Sequence, residues 1–304
     1  VLLTVHVVLP HFGLRNTMVV GAAIDLLVGV ILLGAGGVVT GRFTHRAALA
    51  SVLLLVLSIS FVHLDPRRMA SGVYRYGRSQ IERGAEVVFH GDGKTASIDM
   101  VASSGTLAIM TNGKIDAAIN PLTASAPSAD ESTMVIAGAL PLALNPGARV
   151  VANIGMGSGL TGATLLAFAS LERVDTIEIE AKMVEAAHGF RPRVERTYTD
   201  PRSHIVIDDA RNYLRARPEP FDVLIGDLVV PWRQGEGSLF TREHFVAARD
   251  ALAPGGLFCQ WLPLFQLSET ETGSRSASVP LRRRRLRRGR CPSGPPIQIL
   301  VRPA

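Results

Sequence analysis

Arg149-Val-Val-Ala-Asn-Ile154, Gly155-Met-Gly157-Ser158-Gly159, an apolar run from Leu160 to Leu171, and Thr176-Ile-Glu178-Ile-Glu180 follow one another in the middle of the chain. They read as strand, glycine turn, helix and a second strand ending in carboxylates. Glycines at a strand-to-helix junction let the backbone approach a nucleotide-like ligand. An acid about 20 residues further on can accept hydrogen bonds from ribose hydroxyls. A glycine pattern alone is weak. Here its place between strand and helix, with Glu178 at the next strand end, points to a nucleoside site rather than a structural turn.

The alternation continues outward from this unit. Strands are expected at 149–154, 176–180, 204–207, 221–226 and 256–262, and helices at 160–171, 181–190, 209–216 and 241–252. That order predicts an α/β, Rossmann-like doubly wound sheet over 146–268. Ligands of such sheets bind outside the carboxyl ends of the strands. Those ends carry Gly155, Gly157, Ser158 and Gly159, then Glu178 and Glu180, Asp208 and Asp209, and Asp227. The alternative is that each acid only caps the following helix, a role that suits Asp208 or Asp209 ahead of Ala210.

Upstream, residues 85–145 read as a small β region followed by a helix. Strands are expected at 87–90, 95–101 and 107–111, with turns at Gly91-Asp-Gly93 and Asn112-Gly113. A Pro, Ser and Ala loop over 120–132 leads into a helix at 133–144. Residues 65–84 form an Arg-rich connector. Residues 1–64 are apolar: between Arg15 and Arg42 the only charge is Asp25, and 47–63 hold no Asp, Glu, Lys or Arg. Two such segments joined at 42–46 predict a transmembrane hairpin; buried core helices or a signal peptide are the alternatives. Arg67, Arg68, Arg75 and Arg78 outnumber Arg42 and Arg46, so the positive-inside rule puts the downstream region in the cytoplasm, anchored in membrane lipid as part of a multi-pass protein. The apolar start at Val1 suggests a fragment of a longer protein.

The net charge of +6 comes from one end. Residues 274–304 hold nine arginines and no acid; taking those nine from 32 leaves 23 basic residues against 26 acidic, a net of −3. No specific nucleic-acid partner follows from such a tail, which has no aromatic residue and no amphipathic period. Residues 269–304 read either as a disordered arm or as out-of-frame sequence, which would leave the last strand an open edge unless 297–301 covers it. Cys259 and Cys291 make no ligand pair, and the eight histidines show no metal-binding spacing, so no metal site is expected.

Several stretches together resemble the spermidine synthases, the polyamine aminopropyltransferases, most of all the bacterial form fused to transporter-like helices. They are Asn112-Gly-Lys-Ile-Asp-Ala117, Ile154-Gly-Met-Gly-Ser-Gly159, Ile177-Glu-Ile-Glu180, Asp200-Pro-Arg202, Val206-Ile-Asp-Asp-Ala-Arg-Asn-Tyr213, Phe221-Asp-Val223, Ser238-Leu-Phe-Thr-Arg-Glu243 and Leu252-Ala-Pro-Gly-Gly256. The resemblance implies a methyltransferase-type fold and a transferase. Its co-substrate would be decarboxylated S-adenosylmethionine (or S-adenosylmethionine), with no resident cofactor, and the acceptor a small amine. A homodimer stays open. It implies that the glycine turn carries the thioether end, Glu178 the ribose and Asp209 the adenine amino group. Asp227 would be the general base.

Three positions depart from the family pattern. Ser158 and Val230 stand where the family carries acids, and Met134-Val135 stand where it carries a Tyr-His or Tyr-Gln step. An S-adenosylmethionine-dependent methyltransferase and a nucleoside-binding domain without catalysis therefore remain as alternatives.

Overall fold

The computed structural model describes residues 2–35, 41–61, 63–121, 127–217, 219–227, 235–262 and 299–303. A π-helical turn at Thr4–Val8 runs into α1 (Leu9–Ala35), which bends at Gly13. α2 (Gly41–Phe61) packs against α1. Both helices are long and apolar enough to cross a membrane, and their apolar windows are unburied. The Arg15 guanidinium donates to the Ile59 carbonyl at the base of the pair. The Asp92 carboxylate accepts the Leu14 N–H at 2.6 Å, so the β region caps α1 just past its bend. Two short helices follow, α3 (Pro66–Met69), capped by Asp65, and α4 (Val73–Tyr76).

A four-stranded antiparallel meander comes next, in the order β1 (Glu86–Asp92), β2 (Ser97–Ser103), β3 (Thr106–Thr111) and β4 (Lys114–Ile119). Sequence reading gave three of these strands and missed β4. It also placed a turn at 91–93, where β1 runs on to Asp92. One face of the meander is core: Ile98, Met100, Ile109, Ala117 and Ile119 pack on Met134, Met156 and Phe190. α5 (Ala129–Leu144) begins four residues earlier than expected. The reason is a capping box, in which Ser128 accepts the Glu131 N–H and Glu131 accepts the Ser128 N–H.

The second sheet has the order β10-β9-β8-β5-β6-β7. β5 (Val150–Ile154), β6 (Arg173–Glu178), β7 (Ser203–Ile207), β8 (Phe221–Gly226) and β9 (Leu252–Trp261) are mutually parallel. The helices between them are α6 (Leu160–Leu165), α7 (Ala181–Ala187), α8 (Glu195–Thr199), α9 (Ala210–Ala216) and α10 (Arg242–Asp250). Successive residues of one strand serve opposite faces, as the pleat requires. Val151, Val174 and Val223 meet Leu142 and Leu165 on one side, and Ala152, Ile177 and Leu224 meet Leu214 and Ala248 on the other. Leu224 is fully buried, and its truncation to Ala is worth about 2–5 kcal/mol. The expected α/β sheet is therefore present, with boundaries adjusted. α6 ends at Leu165 instead of 171, and β9 starts at Leu252 instead of 256, across a register shift opposite Phe221–Val223.

β10 (Ile299–Pro303) pairs antiparallel with β9 from Ile299↔Trp261 to Pro303↔Leu257. The edge expected to be open thus carries a strand from the end of the arginine-rich segment. The nine-arginine run apart from Arg302 lies outside the described residues. Cys259 is buried in β9, and burial pushes its thiol up to about 12, so it is an inert core residue.

The apolar, outward-facing pair α1–α2 predicts that the chain sediments with membranes and needs detergent for extraction. A monodisperse chain in the high-speed supernatant would contradict it.

Candidate functional site

Four strand ends are stitched together by three backbone bonds. Gly155 N–H donates to Ile177 O (2.9 Å), Asp227 N–H to Ile154 O (3.0 Å) and Asp208 N–H to Glu178 O (3.0 Å). The side chains that follow β8, β5, β6 and β7 therefore stand in a row along one sheet edge. Between them the glycine turn runs at φ 93° for Gly155 and 51° for Gly157. A Cβ on Gly155 would also sit 3.2 Å from the Asp227 carbonyl oxygen, so the turn needs glycine for both conformation and space.

Glu178 organises this edge. Its Oε2 accepts the Met156 N–H and its Oε1 the Glu180 N–H, each at 2.9 Å. Burial pushes its carboxyl up to about 7; those N–H donors pull the other way, and the Asp116 carboxylate adds to the rise. Glu180 caps α7 through Lys182 N–H, while its Oε2 accepts the Thr95 N–H (2.7 Å) and Thr95 Oγ1–H (2.8 Å). The β1–β2 turn is thereby clasped onto the strand end.

At the β7 end, Asp209 caps α9 by accepting the Arg211 N–H at 2.9 Å, and its carboxylate is gripped by the Arg211 guanidinium at 2.6 Å. That hydrogen bond holds Asp209 below the usual carboxylate range. Asp208 is more exposed and accepts the Asp209 N–H. The capping role read from the sequence belongs to Asp209.

At the β8 end, Asp227 is 7 % exposed and its Oδ1 has no hydrogen-bond partner among the described residues. Burial pushes its carboxyl up to about 6 against the pull of Thr161 and Asn153. Gln260, opposite Gly226 on β9, likewise keeps a buried, unpaired Oε1.

One cavity of about 550 Å³ opens here, and Gly155, Gly157, Glu178, Asp208, Asp209 and Asp227 all line it. Ser158 and Gly159 stand behind that wall. Ser158 is fully buried, with its Oγ donating to Met134 Sδ at 3.1 Å and accepting the Leu160 N–H; Gly159 begins α6 facing Thr197. Val230 and the loop 228–234 lie outside the described residues. The roof was not read as part of the site from sequence: Thr95, Ala96 and Asp116 from the meander, Met134 from α5 and Leu239 ahead of α10. Asp116 lay in the quoted stretch Asn112–Ala117; its signal was an acid inside an otherwise alternating strand.

Comparisons with known proteins meet this geometry. The spermine/spermidine synthase domain family matches residues 132–269. The polyamine aminopropyltransferase of Alkaliphilus oremlandii is 32% identical over 118 residues, covering 39% of this chain and 41% of that protein. Its counterpart from Thermotoga petrophila is 34% identical over 119 residues, covering 39% and 40%. The chain thus matches about two fifths of the length of these curated relatives. Among solved structures, a spermidine synthase in complex with the transition-state analogue AdoDATO superposes with a TM-score of 0.59 at 24% identity, over 71% of this chain and 73% of that one. The spermidine synthase from Thermotoga maritima gives 0.56 at 24% identity, over 71% and 72%. Residues 132–269 thus match the spermine/spermidine synthase domain family, and the fold is that of the two spermidine synthase structures.

Asp227 is predicted to cost stability. Its folded pKa lies above the unfolded value, so the penalty for ionising it grows as pH rises through the carboxylate range and is complete above about 6. Asp227→Asn keeps the shape and removes the charge. It should stabilise the chain by up to about 3 kcal/mol at pH 8 and by little at pH 3.5, read from urea unfolding midpoints. Equal stability at both pH values would contradict the burial account.

Proposed function

We propose that this domain transfers an aminopropyl group from decarboxylated S-adenosylmethionine to a small amine. The observation that carries the reading is Asp227: a buried carboxylate whose Oδ1 has no partner among the described residues, in the same cavity as the glycine turn and Glu178. The domain match and the relatives named above favour this transfer over methyl transfer or binding alone.

The nucleoside would lie along the row of strand ends. The adenine amino group would donate to Asp209, whose plane Arg211 fixes, and the ribose hydroxyls would donate to Glu178. The sulfonium would sit over Gly155–Gly157. A carboxylate-lined cavity attracts a sulfonium and an ammonium and disfavours anions. The neutral amine nitrogen attacks the methylene carbon bonded to sulfur. The N–C bond forms as the C–S bond breaks, and its electron pair returns to sulfur, leaving neutral methylthioadenosine. The proton lost from nitrogen passes to Asp227. Burial raises the basicity of Asp227 for that step, and the walls exclude water from the sulfonium.

The helices α1 and α2 would hold this domain at a membrane, on the cytoplasmic face. In support, their apolar side chains point outward, and Arg67, Arg68, Arg75 and Arg78 follow α2 on the domain side against Arg42 and Arg46 at the far turn.

Asp227→Asn is expected to lower turnover by roughly 10²–10⁴ while sparing affinity for methylthioadenosine. The base must be ionised, so kcat at saturating amine should fall as pH drops below about 6. Parent-rate transfer by the Asn variant would remove Asp227 from the mechanism. Separately, Glu178→Ala should weaken methylthioadenosine binding roughly tenfold or more, because hydrogen bonds to a charged acceptor are lost. Unchanged calorimetric affinity would refute the ribose assignment.

A further inference from the structure

Every residue from 73 to 80 is exposed, and this run carries Val73, Tyr74 and Tyr76 together with Arg75 and Arg78. Val73 is 60 % exposed and Tyr74 fully so. The lobe, α4 with the turn behind it, nonetheless stands on a packed base. Ala70 before it and Ile81 after it pack with Val87, Val101 and Met110 on the meander's outer face. Gly72 has φ 60°, and a Cβ on it would fall 2.2 Å from the Gly113 carbonyl oxygen, so the start of α4 is pressed against the β3–β4 turn. Apolar and aromatic side chains grouped on a fixed base mark an interaction surface.

The place of the lobe identifies what covers it. The β1–β2 and β3–β4 turns lie at one end of the meander, because Asp92 pairs with Ser97, Ile98 with Thr111 and Thr111 with Lys114. At that end Asp92 accepts the Leu14 N–H of α1, and Gly113 meets Gly72 ahead of α4. Neighbouring strands are about 4.8 Å apart, so these two contacts stand roughly 10–15 Å from each other. α4 is therefore level with the foot of the helix pair, where Arg15 meets Ile59. Charge agrees with this place. Residues 65–84 hold five arginines against two acids, a net of +3. A second copy docking the same lobe would bring like charges together, whereas anionic headgroups complement them. Tyrosine suits that level too, with an apolar ring and a polar tip.

We propose that the lobe 73–80 is a second membrane contact, seated among anionic lipid headgroups beside the helix pair. This rests on the reading that α1 and α2 span a bilayer. The contact sets the tilt of the domain over the membrane. It also brings one rim of the cavity there, because Thr95 and Asn112, both exposed and both lining the cavity, belong to the same two turns.

The test uses the full chain in nanodiscs of phosphatidylcholine with or without phosphatidylserine. A small fluorophore is placed on Tyr74→Cys or on Glu86→Cys, each combined with Cys291→Ser; Cys259 is buried. Glu86 is exposed at the opposite end of β1. With phosphatidylserine present, the probe at 74 should be quenched by headgroup nitroxides and shielded from iodide, and the probe at 86 should show the reverse. Arg75→Gln with Arg78→Gln should lower the docked-to-free ratio at 74 roughly fivefold per charge removed while the chain stays in the disc. Equal iodide quenching at 74 and 86 in a disc-bound chain overturns the inference and leaves the spanning reading standing. Shielding from iodide without nitroxide quenching also overturns it, since the cover is then protein. A chain that stays monodisperse without disc or detergent overturns the spanning reading and this inference together.

Discussion

The buried carboxylate of Glu178 is the constraint on which the site depends. It ends β6, yet both of its oxygens are used by backbone N–H groups, one from Met156 inside the glycine turn and one from Glu180 beyond the strand. The turn therefore takes its path because an acid on the neighbouring strand holds it there. Burying that acid is unfavourable, which is why its carboxyl rises to about 7, and the backbone bonds only partly offset the desolvation. Asp227 is raised in the same way at the next strand end but one, and there no donor among the described residues meets Oδ1. Uncompensated burial of this kind concentrates where a ligand is to be held or a proton moved.

The meander and α5 convert that edge into a cavity. Thr95 clamps Glu180, and a Cβ on Gly93 would fall 2.0 Å from the Glu180 Oε1, so the turn can lie this close only with glycine there. On the other flank Arg193 joins the Asn120 carbonyl (2.9 Å) to Glu131 (2.7 Å), which fixes the start of α5 and with it Met134. Burial pushes the Glu131 carboxyl up; the N–H groups of Asn120 and Ser128, with Arg193, outweigh it and hold the carboxyl below its usual range. Removing one member of such a buried pair leaves the other charge uncompensated, so these ties set the roof's position firmly.

The sheet was legible because its signals are local and periodic. Residues 149–154 and 221–226 are short apolar runs, the glycine turn follows the first, and acids follow the strands expected at 176–180, 204–207 and 221–226. What was missed depends on contacts distant in sequence. β4 hides because the bulge at Asp116 breaks its alternation, and the start of β9 hides because Ala253-Pro-Gly-Gly256 looks like a turn. Ser128-Ala-Asp-Glu131 is a capping box that the sequence does contain, but it sits at the end of a stretch whose Pro, Ser and Ala content suggested a loop. The lining acids on strand ends could be named in advance. Asp116 could not be placed among them, because its relation to Glu178 exists only after the meander folds over the sheet.

The most direct test is to incubate the purified chain with decarboxylated S-adenosylmethionine, and in parallel with S-adenosylmethionine, each with a panel of small amines, and to identify products by mass. Aminopropyl transfer predicts methylthioadenosine together with one amine heavier by an aminopropyl unit. Adenosylhomocysteine formed from S-adenosylmethionine, or no product with any amine despite nucleoside binding, would contradict it.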